Sequence, residues 1–418
     1  MSAPTSDFLR VLTERGFVHQ TSDLSAIDGL AREGRLTTYV GYDCTAPSLH
    51  IGHLLSITML RWLQETGAGQ PIVLMGGGTT RVGDPSGRDE TRKILTLDQI
   101  EANKDSIRQV FSRFVRFDEG DHGALMADNA EWLTRLNYID MLREVGRHFS
   151  VNRMLSMDSV RLRLDRDQEL SFIEFNYMIL QAYDFVELHR RYGCVMQMGG
   201  SDQWGNIVTG IDLGRRLGTG QLHALTCPLM TTASGAKMGK TASGAVWLNA
   251  DLFAPYEYWQ FWRNTEDADV GRFLRLFTAM PLPEVARLEA LAGAEINDAK
   301  KILATEATRL LHGDEAARLA AETAQKTFEQ GVTADSLPSV ERPRAEIEAG
   351  LTVGPAFVLA GLAASNGEVA RAIANGAISV NDGKVTDRGR VLTGADLSAE
   401  GVIKLSFGRK KHVLLRAV

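Results

Sequence analysis

The stretch TTYVGYDCTAPSLHIGH, from Thr37 to His53, joins two segments of different hydrophobic period. The pattern predicts a buried strand over Thr37–Asp43, a turn, and a helix over Ile51–Glu65 whose apolar residues recur every three or four positions. The same alternation of strand and helix continues to about Leu217. This order predicts an α/β fold in which helices cover a parallel sheet.

Further elements of this sheet domain are predicted from the same two periods. The strands are Pro71–Gly76, Ala124–Asn129 and Cys194–Gly200, and the helices are Thr96–Phe114, Glu131–Val145, Ser171–Tyr192 and 203–217. The predicted core face of the longest helix consists of Phe172, Phe175, Ile179, Ala182 and Val186.

The composition changes after residue 230 and divides the chain. Residues 1–230 form the sheet domain, and residues 231–250, rich in Thr, Ser, Gly and Lys, predict a mobile loop. Residues 251–335 have helical periodicity and little strand signal, which predicts a separate α-helical domain. Residues 336–351 contain two prolines and are predicted to be a linker, followed by a small α+β module over residues 352–418.

The composition of the 418 residues, 44% hydrophobic and 23% charged, is typical of a soluble protein of two or three domains. No apolar run is long enough to span a bilayer, and the first residues lack the apolar core of a signal peptide. Cys44, Cys194 and Cys227 are too few and too far apart for a disulfide framework or a paired metal site. These features predict a cytoplasmic protein with no membrane partner.

Charge is unevenly distributed. The chain has 46 Lys and Arg against 52 Asp and Glu, a net charge of −6, which by itself does not indicate a nucleic-acid binder. Residues 401–418 nevertheless lack Asp and Glu and contain Lys404, Arg409, Lys410, Lys411 and Arg416. This cluster predicts either a solvated basic tail or a surface that holds a phosphate backbone.

His50 and His53 lie three residues apart at the start of a predicted helix, with Gly52 between them. A helix N-terminus offers free N–H groups and a positive dipole, so this position favours a phosphate or another anion. A zinc site and purely structural histidines are the alternatives, although no third or fourth zinc ligand occurs at a usual spacing.

A glycine-rich turn, Met75–Gly87, follows the predicted strand Pro71–Gly76. Its glycine spacing differs from the dinucleotide-binding fingerprint, and Asp84 stands where a P-loop has lysine. Because a carboxylate repels phosphate, Asp84 is predicted either to bind an amine or to be a turn aspartate before proline.

Tyr177, Gln181 and Asp184 are spaced to share one face of the helix Ser171–Tyr192. This predicts either a hydrogen-bonding face directed at a ligand or a polar edge directed at solvent.

Residues 197–206, which include Gln203, follow a predicted strand and open a helix, and ligands bind at that edge of open α/β sheets. Lys237 and Lys240, three residues apart in the predicted loop, can hold a polyphosphate as point charges.

Together these motifs resemble a known family. His50-Ile-Gly-His53 and Lys237-Met-Gly-Lys-Thr241 resemble the signature pair of class I aminoacyl-tRNA synthetases. Gly83–Gly87, Leu180–Phe185 and Gly199–Asn206 resemble the bacterial tyrosyl-tRNA synthetases of that class. The resemblance implies a Rossmann-like catalytic domain, an α-helical domain on the anticodon side and an S4-like RNA-binding module. It further implies a homodimer that uses L-tyrosine, ATP with Mg²⁺ and tRNA(Tyr), with no protein ligand for the metal.

The resemblance assigns a role to each matching residue. For tyrosine these are Tyr39 and Asp184 at the phenol, Asp84, Tyr177 and Gln181 at the amino group, and Gln203 near the carboxylate and ribose. For ATP and its pyrophosphate they are Asp43, Thr45, His50, Gly52, His53, Lys237, Lys240 and Thr241. The basic residues Lys404, Arg409, Lys410, Lys411 and Arg416 are predicted, from their charge and their place in the C-terminal module, to contact the backbone of the tRNA. The loop departs from the general class I pattern in having Gly-Lys-Thr where Ser-Lys-Ser is usual, but both lysines remain.

Two rival functions stay open at this point. A tryptophanyl-tRNA synthetase would share both signatures but would not pair Tyr39 with Asp184 for a phenol. A non-catalytic RNA-binding relative, for example one recruited to intron RNA, would be expected to lose His50, His53 or Lys240, and all three are present. The reaction implied by the resemblance is activation of tyrosine by ATP to tyrosyl-adenylate, followed by transfer to the 3′ end of the tRNA.

Overall fold

The computed structural model describes residues 3–85, 95–235, 238, 240–241, 244–329, 337–398, 400–408 and 411–418, with the backbone alone at 240–241 and 327–329. Two compact units are present. The first consists of Met1–Phe253 and Glu266–Ala299, and the second of Ala254–Thr265 and Lys300–Val418.

A six-stranded sheet lies in the first unit. Its strands are β1 (Gln20–Thr21), β2 (Thr38–Tyr42), β3 (Pro71–Met75), β4 (Leu125–Asp128), β5 (Met196–Gly200) and β6 (His223–Cys227), in the order β1-β6-β5-β2-β3-β4. Strands β2 to β6 are parallel, and β1 pairs antiparallel with β6. The predicted α/β class with a parallel sheet is therefore confirmed. Two short strands, β7 (Lys240–Thr241) and β8 (Gly244–Ala245), form a separate antiparallel pair.

The direction of strand progression reverses at β2. From β2 the sheet continues through β3 to β4 on one side, whereas β5 and β6 lie on the other side. The register places Tyr39 of β2 beside Gln197 of β5. Ligands of open α/β sheets bind beyond the carboxyl ends of the strands at such a reversal, so the segments after Tyr42 and Gly200 are where a site is expected.

The α-helices of the described residues account for much of the remaining chain. They are α1 (Asp7–Arg15), α2 (Leu24–Arg32), α3 (Leu54–Glu65), α4 (Leu97–Phe111), α5 (Ala130–Leu133), α6 (Tyr138–Glu144), α7 (Val151–Leu155), α8 (Asp158–Leu164), α9 (Phe172–Tyr192), α10 (Trp204–Leu217), α11 (Pro255–Arg263), α12 (Val270–Phe277), α13 (Leu282–Glu289), α14 (Ile296–His312), α15 (Asp314–Glu329), α16 (Arg344–Glu348), α17 (Val353–Leu359) and α18 (Asn366–Ala374). No helix in this part of the chain is long and apolar enough to cross a bilayer.

Two predicted helices differ in detail from the structure. The predicted helix Ile51–Glu65 begins with a 3-10 turn, Ile51–His53, before α3. The predicted helix Glu131–Val145 is interrupted between α5 and α6. The side chain of Asn137 accepts the N–H groups of Ile139 and Asp140, so it caps a new helix at that point.

Helix α9 packs on the sheet and is capped at both ends. Ser171 and Glu174 exchange hydrogen bonds at its start, and Gly193 ends it in the left-handed region at φ 65°. Phe185 packs edge-on against Tyr39 of β2, with ring centroids 5.3 Å apart. These contacts fix the rotation of α9 relative to β2.

The predicted core face of α9 is confirmed for Ile179, Ala182 and Val186, which are buried, and Phe175 is partly buried against them. It is wrong for Phe172, whose side chain is 68% exposed. As the first residue of the helix, Phe172 extends past the packed part of α9.

The second unit ends in a small α+β module. Its strands are β9 (Ser339–Arg342), β10 (Leu351–Thr352), β11 (Ile378–Val380), β12 (Gly383–Lys384), β13 (Val391–Leu392), β14 (Val402–Phe407) and β15 (Lys411–Ala417). Five of them form a sheet in the order β12-β11-β14-β15-β9, in which only the β15–β9 pair is parallel. Helices α16, α17 and α18 cover this sheet with a core that includes Ile347, Phe357 and Val369.

The predicted helical domain over residues 251–335 does not coincide with a compact unit. Residues 266–299 belong to the first unit. The physical reason is Arg15 of α1, whose guanidinium donates to the carbonyl oxygens of Arg275, Thr278 and Met280 at the end of α12. These long-range contacts leave no periodic signal in the sequence.

The predicted linker over residues 336–351 likewise differs from the structure. Residues 339–342 form β9, the parallel edge strand beside β15. Residues 344–348 form α16, and Ile347 is fully buried in the core of the module. The module therefore begins near residue 337 rather than at residue 352.

Candidate active site

Asp43 follows β2 directly and receives two hydrogen bonds from other elements. Thr79 donates to its Oδ1 at 2.7 Å, and the hydroxyl of Tyr177 donates to its Oδ2 at 3.1 Å. Burial, followed by the charge of Asp43, raises the pKa of Tyr177 well above its usual value, so the phenol stays protonated and donating. Asp43 thus links the glycine-rich turn to helix α9.

Asp184 of α9 is a buried acidic residue, and it is joined to Thr79 through Asn129, whose Nδ2 donates to both side chains. Its oxygens accept from Asn129 Nδ2 at 2.9 Å and from Trp132 Nε1 at 2.7 Å, and the residue is 2% exposed. Burial raises the pKa of Asp184 to about 8, against the lowering effect of its two donors. Each carboxylate oxygen has a further lone pair, so Asp184 can accept another donor from a ligand.

Tyr39 on β2 completes this end of the site. The residue is 1% exposed, and its hydroxyl has no hydrogen-bond partner among the described residues. Burial, followed by the charge of Asp184, raises the pKa of Tyr39 well above its usual value. A buried hydroxyl without a partner is costly, which indicates that a ligand supplies one.

Tyr177, Gln181 and Asp184 are all buried, so the alternative of a solvent-facing polar edge is wrong. Gln181 Nε2 and Asn206 Nδ2 both donate to Gln203 Oε1, and Gln203 Nε2 donates to Asp84 at 3.2 Å. Hydrogen bonds therefore join Asp84 of the glycine-rich turn, Gln203 after β5 and Gln181 of α9.

The turn after β3 requires glycine at two positions, because the side chains of Asp43 and Asp128 lie too close to its backbone to leave room for a Cβ. A Cβ on Gly76 would lie 2.4 Å from Asp43 Oδ1, and one on Gly77 would lie 2.4 Å from Asp128 Oδ1. Asn129 Oδ1 accepts the backbone N–H of Gly78 at 2.7 Å. Gly76 and Gly77 are therefore packed against carboxylates, which would repel a phosphate at this part of the turn.

The two histidines hold each other through the backbone. Gly52 N–H donates to His50 Nδ1 at 3.1 Å, and His50 N–H donates to His53 Nδ1 at 3.2 Å. Both rings therefore present Nε2 as the remaining donor. Burial lowers the pKa of His53 to about 3, so its ring is neutral at pH 7. In the described residues no group of three or more His, Cys, Asp or Glu could hold a metal ion.

The segment after the predicted loop packs on the histidine motif. Ile51 N–H donates to the carbonyl of Val246 at 3.0 Å, and Leu248 N–H donates to that of Leu49 at 2.9 Å. The carbonyl oxygen of Met238 would lie 3.7 Å from a Cβ on Gly52. The two sequence motifs, about 185 residues apart, therefore meet in space.

The remaining candidates for ATP are less fully defined. Thr45 is half-buried in the irregular segment between β2 and the 3-10 turn. Lys237 lies outside the described residues. Lys240 and Thr241 are described only through the backbone of β7.

A family model for class I tRNA synthetases, those of tryptophan and tyrosine (W and Y), matches residues 31–329. The chain belongs to this family. A curated relative, the tyrosine–tRNA ligase of Rhodopseudomonas palustris, is 71% identical over 417 residues and is covered fully, as is this chain. The tyrosine–tRNA ligase of Nitrobacter winogradskyi is 67% identical over 416 residues, with the same full coverage of both chains.

Solved structures of this synthetase family agree with the fold. A C-terminally truncated mitochondrial tyrosyl-tRNA synthetase of Aspergillus nidulans has a TM-score of 0.69 at 30% identity, covering 77% of this chain and 94% of that one. A tyrosyl-tRNA synthetase of Archaeoglobus fulgidus, complexed with L-tyrosine, has a TM-score of 0.56 at 20% identity and covers 75% of this chain and all of its own. The second likeness supports the fold alone.

The prediction that Lys404 binds RNA is wrong in the structure of the basic C-terminal segment. Lys404 is 2% exposed on β14 and its Nζ pairs with Asp382 at 2.9 Å, so it is not available to a phosphate. Lys411 is exposed and Arg416 half-buried on β15. Arg409 and Lys410 lie outside the described residues. Alternate residues of a strand point to opposite faces, so Lys404 lies on the face opposite the core residues Ile403 and Leu405, and both faces of β14 are buried.

Sequence reasoning missed Asn129 and Trp132, which hold Asp184 in this synthetase. Asn129 ends the predicted strand Ala124–Asn129, so the rule that ligands lie at the carboxyl ends of strands could have selected it. Trp132 had no such signal, because an isolated Trp in a helical segment usually indicates core.

Proposed function

We propose that this chain is a tyrosine–tRNA ligase. It activates L-tyrosine with ATP to tyrosyl-adenylate and pyrophosphate, and then transfers tyrosine to the 3′ end of tRNA(Tyr). The reaction takes place in the cytoplasm; the three cysteines, which are buried and unpaired, suit that reducing compartment.

The observation that carries this proposal is the pair of Tyr39 and Asp184. The substrate phenol donates a hydrogen bond to an oxygen of Asp184 and accepts one from the otherwise unpartnered Tyr39 hydroxyl. Tryptophan has no hydroxyl to satisfy this pair, and phenylalanine leaves the Tyr39 hydroxyl without a partner and Asp184 with only its two protein donors. A site built to hydrogen-bond a hydroxyl rejects analogues that lack it.

The amino end of the substrate is held by the network on α9. Gln181 and Tyr177 lie on the same helix face as Asp184, one and two turns away respectively, and Asp84 supplies the negative charge that an ammonium group requires. Gln203, which already donates to Asp84, lies where the carboxylate and the ribose meet. The tyrosine thereby lies along one helix with its carboxylate directed at ATP.

Adenylate formation needs no protein nucleophile. The tyrosine carboxylate attacks the α-phosphorus in line and pyrophosphate leaves, so the enzyme acts by positioning and by stabilising phosphate charge. The Nε2–H groups of His50 and His53, with Thr45, contact ATP beyond β2, and Asp43 and Gly52 shape that pocket. Mg²⁺ would accompany ATP as part of the substrate and would neutralise phosphate charge, and no residue of the chain is proposed as its ligand. Lys237, Lys240 and Thr241 bind the pyrophosphate as it departs.

Transfer requires that the tRNA reaches the same pocket. A ribose hydroxyl of its terminal adenosine attacks the mixed anhydride, while the C-terminal module holds the RNA backbone. Arg409, Lys410, Lys411 and Arg416 remain the proposed phosphate contacts, and Lys404 is no longer among them.

The enzyme acts as a homodimer whose interface lies in the segment from α6 to the start of α9. Nine large apolar side chains of this segment are exposed, and exposed apolar patches mark interaction surfaces. They are Tyr138, Ile139, Leu142, Val151, Leu155, Leu162, Leu164, Phe172 and Ile173. A second copy of the chain covers them. Sedimentation velocity on Ile139→Glu tests this, since a charged substitution at the interface should shift the protein from dimer to monomer.

ATP–pyrophosphate exchange tests the function directly. Exchange should depend on tyrosine and not on tryptophan. Asp184→Ala should lower kcat/KM for tyrosine by about 10- to 150-fold, the equivalent of losing one hydrogen bond to a charged group. Lys240→Ala should lower kcat while the affinity for tyrosine is unchanged. Exchange with tryptophan, or none with either amino acid, would overturn the proposal.

A further inference from the structure

Arg191, in the last turn of α9, lies over the indole ring of Trp132. Its guanidinium carbon is 5.1 Å from the ring centroid. The edge of the same ring carries the Nε1–H that donates to Asp184 at 2.7 Å. Trp132 is 3% exposed, so one face of a buried ring meets a cation while its polar edge meets a buried carboxylate.

Two carboxylates hold the guanidinium in this place. Arg191 Nε donates to Glu187 Oε2 at 3.0 Å, and Arg191 Nη1 lies 4.0 Å from Glu131 Oε2. Glu187 is one turn earlier on α9, and Glu131 is adjacent to Trp132 on α5. The guanidinium of Arg191 therefore interacts with carboxylates of both α9, which carries Asp184, and α5, which carries Trp132.

We propose that Arg191 is a positioning residue for tyrosine recognition, acting through Trp132 on the Asp184 carboxylate. A cation over an indole face is attracted by the ring quadrupole, which fixes the ring. The cation also withdraws electron density from the ring, which strengthens Nε1–H as a donor to Asp184. Asp184 then keeps its remaining lone pairs directed at the substrate phenol. This inference rests on the proposed function, because it concerns the group that selects tyrosine.

The neighbouring Arg190 provides a matched control. Arg190 Nη1 pairs with Glu187 Oε1 at 3.3 Å, so Arg190 has the same helix, the same charge and the same carboxylate partner as Arg191. The structure gives Arg190 no contact with Trp132 in the described residues. A general effect of positive charge at this end of α9 would change KM for tyrosine equally in Arg190 and Arg191 variants. An effect through Trp132 would change it only in Arg191 variants.

The experiment is ATP–pyrophosphate exchange with wild type, Arg191→Gln, Arg191→Lys and Arg190→Gln, using tyrosine and phenylalanine. A cation–π contact at a partly exposed site corresponds to about a 2- to 5-fold change in an equilibrium constant. Arg191→Gln should raise KM for tyrosine by this factor, with kcat and KM for ATP unchanged. The preference for tyrosine over phenylalanine should fall by the same factor. Arg191→Lys should restore most of it, and Arg190→Gln should match wild type.

Two results would overturn the inference. One is a KM for tyrosine in Arg191→Gln equal to that in Arg190→Gln. The other is a loss of kcat, ATP affinity and tyrosine affinity together, which marks a merely structural arginine. If Arg191→Gln fails to fold, Arg191→Met keeps an unbranched apolar side chain and removes the guanidinium with its charge, and the same comparison applies. Wild-type exchange with tyrosine is measured first, so a failure of the proposed function is seen separately.

Discussion

Gly52→Ala should damage adenylate formation through the His50 ring. A Cβ at this position would lie 2.9 Å from His50 Cε1 and 3.0 Å from Nδ1, whereas ordinary contact begins at 3.4 Å. The ring must therefore move by about 0.5 Å, and it loses the aligned hydrogen bond from Gly52 N–H. A misplacement of about 1 Å can cost 100-fold in rate, so we expect kcat to fall by about 10- to 100-fold. The tyrosine contacts on α9 are untouched, so KM for tyrosine should stay within about twofold.

The assay is tyrosine-dependent ATP–pyrophosphate exchange with saturating ATP, together with the melting temperature of each variant. Gly29→Ala is the control, since a Cβ at that helical position of α2 meets nothing within 4 Å. It should keep full activity and gain slightly in stability, because alanine favours a helix over glycine. A Gly52→Ala enzyme with kcat within about threefold of wild type would refute the role of the His50 ring position.

Three further outcomes are expected. Burial raises the pKa of Asp184 to about 8 from 3.8, so between pH 4 and 8 the folded state keeps a proton that the unfolded state has released, and stability falls as pH rises. Asp184→Asn removes that dependence, so the melting temperature of wild type should fall relative to the variant between pH 5 and 7. A chain ended at residue 336 should keep pyrophosphate exchange and lose transfer to tRNA, whereas one ended at Gly350 should also aggregate, because it keeps β9 without its partner strand β15. In tRNA binding, Lys411→Ala should make the dependence on salt shallower by about 0.7–0.9 log units per log unit of salt, and Lys404→Met should leave it unchanged.

Local patterns predicted the elements that carry their own signal. Helix α9 was recognisable from its period, and its three polar residues at four- and three-residue spacing were correctly placed on one face. The strand before Asp43 and the glycine-rich turn were equally visible. In each case the information lies within about twenty consecutive residues, which is the range over which hydrophobic period and turn chemistry operate.

The errors came from contacts between distant residues. Trp132 gained its role from Asp184, 52 positions later, and no local rule connects them. Residues 339–342 contain a strand that joins the sheet only because β15, about 70 residues on, offers a free edge. The charge of Lys404 indicates an exposed residue, whereas both faces of β14 are buried by other parts of the chain.

In the proposed complex, one helix, α9, faces the bound amino acid along its length. Asp184 and Tyr177 lie on the same side of α9, two turns apart, and α9 is held by the caps at Ser171 and Gly193. The distance between the groups proposed to bind the phenol and the ammonium is thus a property of helical geometry and cannot be adjusted by rotamers alone. An enzyme engineered to accept a longer amino acid would have to shorten side chains at the Asp184 end, since sliding or tilting α9 would displace the ammonium contacts as well. The length of the amino acid that the site accepts is therefore set by the spacing of side chains along α9, and a change in that length requires smaller side chains at one end of the helix.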